Sequence, residues 1–268
     1  MQQIPTITGR KIRRIVLDES KRANVGHIGS ALSVADILAA LYGGALAIDS
    51  PSDPDRDRFV LSKGHAALGL YAALYLRGWL TRAQVAEFCT NGTAIGVHPE
   101  SVVNGVDFSS GSLGLGLSFG AGAALAARLQ RSRRRAFVLV SDAECDEGSI
   151  WEAIMFAAHH RLGNLVAIVD LNGQQALGYT HEVLSHGSLA DRWRAFDWDV
   201  HEVDGHDVAG LVRIIADIDL QRDRPHVIIA RTTFGHGVSF MESLIKWHYL
   251  PMSDAEYQLA VAEVEAES

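Results

Sequence analysis

The run Val140-Ser141-Asp142-Ala143-Glu144-Cys145-Asp146-Glu147-Gly148-Ser149-Ile150-Trp151-Glu152-Ala153 decides the fold. The apolar residues 136–140 lead into it and read as a buried strand, while residues 150–161 continue it as a helix. Asp142 therefore stands at the C-terminal end of a strand, on the edge where open α/β sheets bind ligands. Thirty residues after Asp142 a second apolar run, 165–169, has ended in Asp170-Leu171-Asn172-Gly173-Gln174. That interval is one strand–helix–strand unit, so the two strand ends are expected side by side.

Working outward, residues 59–61, 200–203 and 227–230 are further short apolar runs expected as buried parallel strands. Helices are expected over residues 8–21, 34–42, 66–77, 82–88, 117–130, 189–194 and 208–219. A last helix begins after Ser253, with Glu256 completing a capping box. Strands alternating with helices predict an α/β fold, a doubly wound and mostly parallel sheet with helices on both faces. No repeat or low-complexity linker interrupts it, so residues 1–268 are expected to form one domain, with a tail after Pro251 extending away.

Asp142 and Asn172 facing one cation suit magnesium, which takes hard oxygen ligands, keeps waters and shares phosphate oxygens. The backbone carbonyl of Gln174 is the expected third protein contact. Considered alone, an Asp at such a turn is more often a helix cap; the matched strand end at Asn172 and the acidic cluster between favour the metal.

The pattern from Ser141 to Gly148, followed by Asp170-Leu171-Asn172-Gly173, resembles the thiamine-diphosphate signature, and Glu147 to Ala153 resembles transketolases, especially the N-terminal subunit of split ones. Ser141 and Ala143 stand where that family has glycines, and Ala143 would enter a positive φ less readily. Four more motifs follow in family order: Gly26-His27-Ile28-Gly29, Ser62-Lys63-Gly64-His65, Gly96-Val97-His98-Pro99-Glu100 and Gly111-Ser112-Leu113-Gly114-Leu115-Gly116. The resemblance implies thiamine diphosphate and Mg2+ as cofactors and two-carbon ketol transfer between sugars or sugar phosphates.

By the same resemblance His27, His65 and His98 contact substrate or cofactor, as does His248 in Lys246-Trp247-His248-Tyr249, where Tyr249 replaces a family glycine. Imidazoles suit the task because they donate, accept and exchange protons near neutral pH. His65, Gly111, Ser112, Leu113, Gly114, Asp142, Ala143, Glu147, Asn172 and His186 are expected around the cofactor. Gly111, Gly114 and Gly116 serve either close helix packing or backbone approach to the cofactor. Glu147 is read either as a subunit-contact acid linking paired active sites or as an acid favoured by a helix dipole. The remaining histidines receive structural roles.

Only one α/β pattern is legible, so a pyrimidine-binding domain, with its Glu for the aminopyrimidine, is expected on a separate C-terminal subunit in an α2β2 assembly. The net charge of -8 disfavours nucleic acid. The basic run Arg131, Arg133, Arg134 and Arg135 reads as a solvated connection. Residues 108–127, uncharged but with five glycines, read poorly as a membrane span. Two cysteines, Cys89 and Cys145, give no disulfide framework, and no apolar run follows the N-terminal basic residues, so a cytoplasmic protein with a small sugar substrate is expected. Two other readings stand beside this one: a thiamine-diphosphate subunit of specialised metabolism acting on a modified sugar or keto acid, and a non-catalytic regulatory subunit.

Overall fold

The computed structural model describes residues 6–218 and 223–266. In chain order the helices are α1 Gly9–Ala23, α2 Ile28–Ser33, α3 Ala35–Ala40, α4 Ala67–Leu76, α5 Arg82–Val85, α6 Gly116–Leu129, α7 Gly148–His159, α8 Thr180–Val183, α9 Leu189–Ala195, α10 Val208–Asp217, α11 Lys246–Tyr249 and α12 Asp254–Ala266. The strands are β1 Arg58–Leu61, β2 Ala136–Ser141, β3 Leu165–Leu171, β4 Gln174–Gln175, β5 Gly178–Tyr179, β6 Asp199–Asp204 and β7 His226–Arg231. Asp219, the last residue of the helix expected over 208–219, lies outside the described residues.

Five strands pair in the order β1-β2-β3-β7-β6, all parallel. Their central members β2, β3 and β7 are apolar over most of their length because both faces are covered. Phe59, Phe137, Leu139, Ile168 and Ile228 pack with α1, α3, α4 and α10. The alternate residues Val138, Val140, Val169 and Ile229 pack with α6, α7 and α9. The fold is thus the expected doubly wound sheet. The edge strand β6 is less buried, and its Glu202 is held by Arg194 and Arg231, charges that blunt an open edge.

The tail does not extend away. Ser253 and Glu256 form the expected capping box, and α12 folds back on α1. Ala260 and Val264 are buried there, and the Tyr257 hydroxyl donates to Asp18 at 2.7 Å. Burial of that apolar stripe outweighs the entropy of a free tail. Short elements are illegible in the sequence: α2 follows directly on His27, and the β4–β5 hairpin forms a separate antiparallel pair. No described helix is long and apolar enough to cross a membrane.

Candidate active site

Parallel pairing puts Ser141 beside Asp170 in register, so the C-terminal ends of β2 and β3 are level. Asp142 follows one end and Asn172 the other. Asp142 Oδ2 accepts from Gly173 N and Thr180 Oγ1, both at 2.9 Å, and Oδ1 accepts from Ala143 N at 3.0 Å. Asn172 Oδ1 accepts from Gln174 N at 3.0 Å, while its amide donates to Asp170 Oδ2 at 2.9 Å. Burial, then the nearby Asp170 carboxylate, pushes the Asp142 carboxyl up to about 6.

Ala143 is not called on to adopt the positive φ that its glycine position suggested. Neither it nor Ser141 has a positive φ, and Asp142 itself is helical at φ -59. Ser141 also contributes a contact that glycine lacks, its hydroxyl accepting from Glu144 N at 3.1 Å.

A cavity of ≈ 220 Å3 opens beside Ala143 and Asn172, lined among others by His27, His65, His98, His248, Gln174 and Lys63. Three imidazoles cluster there: His27 and His65 have ring centroids 5.6 Å apart, and His248 lies 5.5 Å from the first and 5.4 Å from the second. His98 stands at the exposed rim. His27 adopts φ 59 at the start of α2, a left-handed conformation uncommon for a non-glycine residue and frequent at functional sites. Burial, then His27 and Lys63, takes His248 down to about 4. Burial, then Lys63 and the other histidines, holds His65 well below the usual imidazole range, and burial followed by His98 lowers His27. These rings are therefore neutral at pH 7.

The glycine loop divides by role. Gly111 and Leu113 line the cavity. Gly114 and Gly116 serve close packing: a Cβ on Gly114, at φ 84, would stand 2.7 Å from the Glu147 Cβ, and one on Gly116 would stand 2.4 Å from Ser62 Oγ. Ser112 is exposed and outside the cavity lining. Glu147 is exposed at the start of α7 without a capping bond. His186 is buried in a neighbouring cavity of ≈ 290 Å3, on the side of Asp142 and Thr180, with Nε2 2.6 Å from Asp146 Oδ1.

Three buried charges beneath the site escape sequence reasoning. Lys63 and Asp170, both fully buried, form an ion pair, and Asp170 also accepts from Ser33 at 2.8 Å, Asn172 and Thr232. Glu144 accepts from Ser62 Oγ at 2.5 Å, Gly114 N at 2.9 Å and Ser141 N at 3.0 Å. Burial raises the Glu144 carboxyl above its usual range against those three bonds. The one available signal is a charged residue embedded in, or just after, an apolar strand.

A second grouping lies elsewhere. Asp36 receives both Arg13 at 2.9 Å and His206 Nδ1 at 2.8 Å, while His206 Nε2 accepts from Thr233 N. Both nitrogens of His206 are thereby engaged in hydrogen bonds.

The donors present fit a magnesium–diphosphate group. Oxygen ligand types, a carboxylate at Asp142 and an amide at Asn172, follow the ends of two adjacent strands, and buried Gln174 Oε1, His27 Nδ1 and His248 Nδ1 have no hydrogen-bond partner among the described residues. Such atoms are costly unless something polar meets them.

The chain is 40% identical over 260 residues to one of the subunits of the apulose-4-phosphate transketolase of Phocaeicola vulgatus, covering 96% of this chain and 92% of the relative. It is 39% identical over 259 residues to the 6-deoxy-6-sulfo-D-fructose transketolase subunit SqwG of a Clostridium species, covering 96% and 94%. Among solved structures, transketolase from Campylobacter jejuni superposes with TM-score 0.90 at 28% identity. That match covers 99% of this chain but 43% of the other, so the chain spans less than half the length of that structure. The family model described as transketolase, thiamine diphosphate binding domain, matches residues 6–264, and the chain belongs to the transketolase family.

Proposed function

We propose that this chain is the N-terminal subunit of a two-chain transketolase, a single diphosphate-binding domain that works with a C-terminal subunit in an α2β2 assembly. It transfers a two-carbon ketol unit between sugars or sugar phosphates, in the cytoplasm. The observation that carries the reading is the histidine cavity at the C-terminal ends of β2 and β3, lined also by Ser141, Ala143 and Asn172, with Asp142 bonded to Gly173 beside it. The names of the two relatives, both of them subunits of transketolases for unusual sugars, support the partner and favour a modified sugar as substrate.

When bound, thiamine diphosphate supplies a carbon nucleophile that stabilises the transferred fragment, and Mg2+ neutralises its diphosphate. Asp142, Asn172 and the Gln174 carbonyl would hold the cation. His65, Gly111 and Leu113 would bound the cofactor on the cavity side. Lys63, which lines the cavity and is anchored by Asp170, would present a positive charge to the cofactor's anionic part. His27, His65, His98 and His248, kept neutral where their pKa values are lowered, can accept a sugar hydroxyl proton and return it as a carbon–carbon bond breaks and reforms. Glu147, exposed beside the glycine loop, would contact the neighbouring subunit in that assembly.

The test is calorimetric titration of thiamine diphosphate with Mg2+ into the co-expressed pair, followed by a ketol-transfer assay. Binding and transfer by the pair, with neither by the Asp142→Ala pair, are expected. Full transfer by this chain alone refutes the shared site. Transfer-inactive pairs that do not bind the cofactor refute the enzyme reading.

A further inference from the structure

Tyr249 closes α11 directly after His248, and its side chain has a defined position. Its hydroxyl donates to the carbonyl of Ala176 in the turn of the β4–β5 hairpin. Its ring stands 5.5 Å, centroid to centroid, from that of His248. Ala176 and His248 both line the histidine cavity, from two different elements. Tyr249 and Ala176 are each exposed, so the link spans the rim of the cavity rather than its floor.

The backbone on either side is fixed. The carbonyl of His248 accepts from His27 N at 3.3 Å, and a Cβ on Gly26 would stand 2.3 Å from the Tyr249 backbone oxygen. A second hydroxyl–carbonyl link, from Tyr179 to Ser243 at 3.2 Å, runs from the hairpin back to the segment before α11. The helix bearing His248 and the hairpin bearing Gln174 are thus laced together from both sides. A glycine at position 249 removes one lace and the ring together.

We infer that Tyr249 is a specificity-determining strap that narrows the sugar entrance between α11 and the β4–β5 hairpin, so that the site takes short or compact sugar phosphates over long ones. The inference rests on the ketol-transfer reading above and names the substrate class for it. A ring at the rim excludes by bulk, and the hydroxyl tie keeps that bulk from swinging aside.

The experiment uses the co-expressed two-chain complex with hydroxypyruvate as donor and a ladder of triose, tetrose and pentose phosphates as acceptors. Tyr249→Gly is expected to raise kcat/KM for the longest acceptor relative to the shortest by about tenfold, with thiamine diphosphate affinity unchanged by calorimetry. Tyr249→Phe, which keeps the ring, is expected to give a smaller shift and faster amide hydrogen exchange across residues 174–180. An unchanged acceptor ratio in an active Tyr249→Gly complex overturns the entrance role. Unchanged hairpin exchange in Tyr249→Phe overturns the strap whether or not the complex is active. A wild-type complex that binds cofactor yet transfers nothing sinks the ketol-transfer reading separately.

Discussion

Glu144 makes the sharpest prediction. It is fully buried and joins three segments: the residue after β1 through Ser62, the glycine loop through Gly114 and the end of β2 through Ser141. Glu144→Ala strands three donors, two of them backbone amides. Each buried donor left unmet costs about 1–3 kcal/mol. Removing a carboxyl whose ionised form burial disfavours returns part of that cost. The net expectation is a loss of about 3 kcal/mol. Glu144→Gln retains one oxygen for Ser62 and Gly114 but turns an amide donor toward Ser141 N, so about 1–2 kcal/mol is expected. Urea denaturation at pH 7 measures both, and at this chain length the Ala variant should melt about 6–10 °C lower. A loss below about 1 kcal/mol for Ala, or a larger loss for Gln than for Ala, refutes the role assigned to these bonds.

Other expectations follow from the same geometry. Lys63→Met should destabilise by about 3–5 kcal/mol in denaturant titration, because Asp170 is left charged and buried, and adding Asp170→Leu should recover part of it. Asp142 has its folded pKa raised to about 6, so its contribution to stability is present below its unfolded pKa near about 4 and is lost as pH rises through about 6. The lowered histidines act in the opposite direction as pH falls. Comparing wild type with Asp142→Asn isolates the carboxylate, and the variant should gain stability relative to wild type between about pH 4 and about pH 7 in the absence of Mg2+; no such divergence removes the assignment. His248, taken to about 4, should show no imidazole titration by NMR between about pH 5.5 and about pH 8, and a midpoint above about 6 contradicts its burial beside His27 and Lys63. Ser253→Ala should cost about 1 kcal/mol through loss of the capping box on α12, read by thermal melting.

Four of the five parallel strands are legible as short apolar runs between helical stretches, whereas residues 200–203, expected as a buried strand, form the half-exposed edge strand β6 with His201 and Glu202 in it, because only one neighbour covers an edge. The placement of Asp142 and Asn172 is legible because strand ends follow from strand positions. The histidine cavity is named residue by residue through resemblance, and His27, His65, His98 and His248 do line one cavity. Of the residues expected around the cofactor, His65, Gly111, Leu113, Ala143 and Asn172 line that cavity, while Ser112, Gly114, Asp142, Glu147 and His186 stand outside its lining, because side-chain direction and loop placement come from tertiary packing. The tail after Pro251, expected to leave the domain, docks on α1 through Ala260 and Val264, two positions whose spacing alone does not reveal a partner surface.

What the sequence by itself determined is the set of local facts: where apolar runs form strands, where Ser253 caps a helix, and which oxygen and nitrogen donors stand after which strand. Tertiary structure alone decided the pairing of Lys63 with Asp170, the bridge from Glu144 to Gly114 and the reach of Tyr249 to Ala176. Each of these joins residues far apart in the chain. Their geometry depends on strand order and helix packing, which set side-chain directions that no local pattern of residue types encodes.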